Sequence, residues 1–147
     1  MNGYTNQYMA NTVNAASPEQ LMLMLYDGAI RFVSLAIQAI ENGVIDKRAY
    51  YINKTSAIIS EFAATLDHSL NPKLAEDLDA LYGYMLNRMM DANLKNNVEP
   101  LLEVKKLLSE LRTTWAQAIE SNKKELREAS GTHAPGTVAY RPLAAAM

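Results

Sequence analysis

Ser17 to Glu41 reads SPEQLMLMLYDGAIRFVSLAIQAIE, and its pattern decides the architecture of the chain. Ser17 suits an N-cap, Pro18 the first helical position and Gln20 the N3 position, so the opening residues read as a capping box. Behind them the strongly polar positions are Asp27, Arg31, Ser34, Gln38 and Glu41, stepping 4, 3, 4, 3 along one narrow stripe of a helix. Nearly every other position is apolar. A surface helix carries an apolar stripe on a polar rod, and here the proportions are reversed, so this helix lies between partners and is buried over most of its circumference. Extended backwards, the polar stripe reaches Met24. A thioether among solvated positions marks either a used surface or a methionine shielded by a loop.

Upstream, Met1 to Ala16 is rich in Asn, and Tyr4, Tyr8, Met9 and Val13 are its only sizeable apolar groups. This segment reads as an N-terminal arm, either disordered or docked on the bundle through Tyr8, Met9 and Val13. Downstream, the first helix is expected to end near Asn42-Gly43, and Asp46 to cap a second helix. In that helix Ile52, Thr55, Ile59, Phe62 and Leu66 form a 3, 4, 3, 4 seam, broadened by Tyr51, Ile58 and Ala63. Asn71 and Pro72 open a third helix, whose wide apolar face carries Leu74, Leu78, Leu81, Met85 and Met89 with Tyr82 and Leu86 beside them. Tyr84 and Met90 fall outside that face, which leaves large apolar groups on an open side. After a connection over Leu94 to Val98, Pro100 is tolerated in the first turn of a fourth helix. Its seam of Leu101, Val104, Leu108, Leu111, Trp115 and Ala118 thins beyond Ser121 into a charged helical extension. Residues 129–147 lack periodicity and read as a disordered tail. The expected fold is all-α, an antiparallel up-down four-helix bundle over residues 17–128, between the arm of residues 1–16 and the tail.

Composition narrows the function classes. A chain of 147 residues makes about one domain. With no Cys and only two His, His68 and His133, zinc sites, thiol chemistry and disulfide frameworks are excluded. The net charge of −2 gives no electrostatic footprint for nucleic acid or an anionic membrane. The longest purely apolar run, Leu21 to Tyr26, falls short of the roughly 18 residues of a membrane span, and no signal peptide pattern opens the chain. A cytoplasmic protein without direct membrane insertion is expected. Di-iron bundles need Glu-x-x-His on two helices, and phosphotransfer bundles need an exposed mid-helix His; neither pattern occurs. No nucleophile has a His within helical reach, and no Gly-rich phosphate loop is present. These readings predict no enzyme and no cofactor. Eight Met and eight Tyr exceed the needs of so small a core. Both residue types repack around varied partners, so the residues point to a module that receives an amphipathic helix in its grooves. A signalling or small-ligand-binding helical bundle is the alternative.

The stretch from Val13 to Leu21, VNAASPEQL, running into Met24 to Ala29, MLYDGA, resembles the opening of the flagellin-specific export chaperones. Leu81 to Met85 with Arg88, followed by Asp91 to Asn97, is similar to their third helix and following loop. Glu103-Val104, Leu111-Arg112 and Trp115 resemble their last core helix. The likeness spans about Tyr8 to Glu120, with Val44 standing where a polar loop residue is expected. The resemblance implies a cytoplasmic chaperone that binds the disordered C-terminal region of flagellin, prevents premature polymerisation and delivers the subunit to the flagellar type III export gate. It implies that flagellin forms helices in the apolar grooves as it wraps the bundle, and that the arm occupies part of this surface in the absence of client. Tyr8 matches the arm's tyrosine, and Tyr82 and Met85 match the tyrosine and methionine of the family's Tyr-x-Tyr-Met motif. Periodicity, together with the arm, adds Val13, Ile58, Phe62, Leu78 and Met89 to the expected flagellin-binding set. Partners beyond flagellin are expected to include an export gate component, and the sequence leaves the free protein open between a monomer and a homodimer.

Overall fold

A computed structural model describes Asn11 and residues 15–129, which form four helices: α1 Pro18–Glu41, α2 Ile45–Ala64, α3 Pro72–Lys95 and α4 Glu99–Ala129. Each helix packs on its neighbours in a ring, α1 on α2 and α4, and α3 on α2 and α4. The pairs Tyr26–Phe62 and Phe32–Tyr51 run in opposite senses along α1 and α2, and Arg48–Asn93 with Phe62–Tyr82 do the same for α2 and α3. The architecture is therefore the antiparallel four-helix bundle that the seams predict. Tyr8, Met9 and Val13 of the arm, and the tail from residue 130, lie outside the described residues.

Local chemistry places the helix ends. Ser17 Oγ accepts from Gln20 N at 3.2 Å while Gln20 Oε1 accepts from Ser17 N at 3.1 Å, which completes the capping box. At the other end of α1, Gly43 takes φ 70°, Gly43 N donates to Ile40 O and Val44 N donates to Ala39 O. This is a Schellman closure, and it needs a residue that tolerates the left-handed region. Val44, not Asp46, is the N-cap of α2 and makes no side-chain cap bond; Asp46 sits inside the first turn, where its charge still meets the positive end of the helix. Asn71 caps α3 through its side chain to Leu74 N, with Pro72 at the first helical position. The connection between α3 and α4 is shorter than expected, because the helix continues through Leu94 and Lys95 to a left-handed Asn96.

The core follows the seams with one shift. Ile52, Thr55, Ile59, Phe62 and Leu66 of the second seam are all buried, as are Leu101, Val104, Leu108 and Trp115 of the fourth. In α3 the buried line is Ala75, Leu78, Tyr82, Met85, Met89 and Ala92, so Tyr82 occupies the centre while Leu74 and Leu81 pack partly buried at its edge. Side chains buried on this scale each contribute about 1.5–3 kcal/mol of transfer free energy. By length and composition α1 would also suffice to cross a membrane, but in the bundle its apolar flanks pack on α2 and α4. Thr55 interrupts its seam without cost in unsatisfied polarity, since its hydroxyl donates to Tyr51 O at 2.8 Å.

Candidate functional site

The bundle centre is built from aromatic groups contributed by all four helices. Tyr26 of α1 stacks on Phe62 of α2 with ring centroids 4.2 Å apart, and Phe62 meets Tyr82 of α3 at 5.8 Å. The Tyr26 and Tyr82 hydroxyls share a hydrogen bond of 2.6 Å, and Trp115 Nε1 of α4 donates to Tyr26 Oη at 3.1 Å. Burial pushes the Tyr26 phenol up to about 12, against the lowering effect of its bonds with Tyr82 and Trp115. Tyr82 is also raised, first by burial and then by the neighbouring Tyr26 oxygen. Both phenols therefore stay neutral and act as hydrogen-bonding groups that hold one register of three helices.

Beside this centre, on the flank where α1 meets α4, a groove of about 640 Å³ opens to solvent. Leu23 and Met24 of α1 supply its apolar floor, and Asn11, Ala15 and Ala16 border it from the arm. Asp27 and Arg112 close one edge as a two-pronged ion pair, Nε to Oδ1 at 3.0 Å and Nη2 to Oδ2 at 3.3 Å. The two charges remain substantially exposed, so the pair contributes at most about 1 kcal/mol and serves chiefly to set the groove edge. This volume lies within the roughly 300–1,000 Å³ typical of ligand clefts. A helix laid there would find apolar contact from Leu23 and Met24 and polar anchors at its rim.

A second polar cluster joins α3 to α4 on the outside. Glu103 accepts from Tyr84 Oη at 2.8 Å and from Arg88 Nε at 2.7 Å, and these two bonds hold its carboxyl below the usual carboxylate range. Tyr84 is raised in turn, mainly by the bond to Glu103, and Arg88 is raised for the same reason. Tyr84 and Met90 are both exposed, as their positions outside the α3 seam imply.

The residues expected to contact a client distribute unevenly. Phe62, Tyr82, Met85 and Met89 are fully buried and Leu78 retains 5% exposure, so a partner meets them only through the side chains that overlie them. Ile58 is half-buried over Gly28, where a Cβ would stand 3.7 Å from its Cδ1. None of these six borders the groove between α1 and α4; Tyr8 and Val13 lie outside the described residues. The periodicity that selects a helix face selects its most buried line, which is why Phe62 and Leu78, chosen by spacing, lie in the core. Met24 was the available signal, a methionine in a polar stripe, and it lies in the groove. Leu23 and the Asp27–Arg112 pair carried none, because their pairing depends on how α1 and α4 dock.

The described residues thus make an antiparallel four-helix bundle with a groove where α1 and the N-terminal segment meet Arg112 of α4. The family model described as "Flagellar protein FliS" matches residues 1–122. Over 130 residues the chain is 40% identical to the flagellar secretion chaperone FliS of Bacillus subtilis, covering 88% of this chain and 95% of that protein. It is 35% identical over 112 residues to the flagellar secretion chaperone FliS of Campylobacter jejuni, covering 76% and 88%. The corresponding Salmonella typhimurium protein is 34% identical over 115 residues, covering 78% and 85%. The chain belongs to the FliS family of flagellar secretion chaperones. These relatives carry the names of chaperones rather than enzymes.

Proposed function

We propose that this protein binds the disordered C-terminal region of flagellin in the cytoplasm, prevents its premature polymerisation and delivers it to the flagellar type III export gate. Family membership supports the chaperone role, and the observation that carries the site is the groove between α1 and α4, floored by Leu23 and Met24 and bordered by the arm. Flagellin helices pack in this groove and over Ile58, while Phe62, Leu78, Tyr82, Met85 and Met89 shape the surface from beneath. Tyr8 and Val13 of the arm belong to the same binding system. Because Asn11, Ala15 and Ala16 already stand at the groove rim, an arm held there competes with the client. The apparent affinity then falls in proportion to the closed fraction.

The test is calorimetric titration with the C-terminal region of flagellin from the same organism. Met24→Glu puts a carboxylate into the apolar floor without touching the buried core, and is expected to weaken binding at least about tenfold while helicity is retained. Unchanged affinity would show that the client sits elsewhere. Deleting Met1 to Asn11 separates the arm's two possible effects by kinetics: removal of a competitor raises the association rate, and loss of a direct contact raises the dissociation rate. Faster association is the expected result. If neither rate moves, the arm has no part in client binding.

A further inference from the structure

Where α1 meets α2, three aromatic rings form a surface ladder. Phe32 stands 6.2 Å from Tyr51, and Tyr51 meets Tyr50 edge-on at 5.2 Å. A cation closes each end: Arg31 lies 5.2 Å from the centroid of Phe32, and Lys54 Nζ lies 5.4 Å from that of Tyr50. Tyr50 is 51% exposed, and Arg31 and Lys54 are exposed as well. Lys47 shares the α2 stripe, at three and four residues before Tyr50 and Tyr51. Among the described residues none of Arg31, Lys47 and Lys54 has a carboxylate partner, whereas Arg88 and Arg112 do.

The geometry points to a second docking surface on this ladder, one that receives an acidic segment of a partner protein. Charge complementarity and ring geometry choose that occupant. The rings offer flat apolar area to aliphatic side chains, and the unpaired cations at the two ends offer sites for carboxylates. A polyanionic nucleic acid fits less well, since three cations make too small a basic patch to follow a phosphate backbone. None of Arg31, Phe32, Lys47, Tyr50, Tyr51 and Lys54 lines the groove proposed for the client. This inference does not rest on the identity of that client.

The experiment uses the full chain and a fluorescein-labelled peptide repeating Glu-Glu-Ala-Leu, compared with its Gln-for-Glu counterpart. Anisotropy titration is expected to show the Glu peptide binding at least about tenfold more tightly at low salt, with the difference shrinking as salt rises. Backbone amide shifts on binding should concentrate at Arg31, Phe32, Lys47, Tyr50, Tyr51 and Lys54. The double variant Arg31→Glu/Lys54→Glu should lose that binding about tenfold while keeping its thermal midpoint. Any of three results overturns the proposal: equal binding of the two peptides, shifts centred outside the strip, or tighter binding of a single-stranded oligonucleotide of similar length. A client failure at Met24→Glu alone would leave this inference standing.

Discussion

Trp115 illustrates how a single residue is placed by both packing and polarity. Its ring closes the core seam of α4, and its Nε1 donates to the Tyr26 hydroxyl. Trp115→Ala is therefore expected to lower the unfolding free energy by about 3–5 kcal/mol in chemical denaturation. Trp115→Phe keeps most of the ring but removes the donor, and should cost about 1–3 kcal/mol. An alanine variant as stable as wild type that failed to bind flagellin would move Trp115 to the client surface. The paired phenols make a separate prediction about pH. Burial raises Tyr26 from its ordinary 10.0 to about 12, so the folded state favours the neutral form. That stabilisation is present in full below the unfolded value near 10 and is lost as pH rises through the folded value near 12. Denaturation midpoints measured from pH 9 to 12 should fall, and the double variant Tyr26→Phe/Tyr82→Phe should flatten the fall even though it starts from a lower stability. An identical slope in the double variant would remove the phenols as its cause.

At the scale of the helix, the ends were the most readable feature and the second helix the least regular. Ser17, Asn71 and Gly43 behave as their chemistry requires, because a cap depends on the residue and its near neighbours alone. Ser17→Ala removes the acceptor for Gln20 N and is expected to cost about 1 kcal/mol, read as a drop in thermal midpoint with the client groove otherwise intact. No drop would mean that water or a neighbouring group replaces the cap. The last three turns of α4 extend past Ile119 with side chains exposed except for the half-buried Asn122, including Leu126 at 43% exposure, and the Lys124–Glu128 ion pair there is a solvated contact at 4.0 Å. Little tertiary packing supports them, so backbone amides of residues 122–129 should exchange much faster than those of residues 101–115. Equal protection over both spans would show that another part of the molecule covers the helix end.

For the molecule as a whole, α1 has two flanks with different neighbours. One flank meets α4 and forms the groove with the arm; the other meets α2 and carries the aromatic ladder. The central hydroxyl network ties α1, α3 and α4 in register. Phe62, Tyr82, Met85 and Met89, with Leu78, belong to that interior, so exchanging them acts first on the packing of the bundle.

By itself the sequence determined the four helices, their order and their buried seams, because apolar spacing and cap residues act within one or two turns of chain. The shift of the α3 seam onto Tyr82 was not legible, since Leu81 and Tyr82 fit the same periodicity and only the approach of Tyr26 from α1 selects between them. The motifs around Ser17-Pro18 and Leu81 to Met85 also carried the family. Only the tertiary structure decided which apolar residues border an open groove. Tyr82 and Met85 vanish into the core while Met24 lines a groove, and Asp27 finds Arg112 across 85 positions of sequence. The physical reason is that a helix pattern records how much of each face is buried, whereas a binding surface is made where two helices leave a gap, and that gap is set by their docking rather than by either sequence alone.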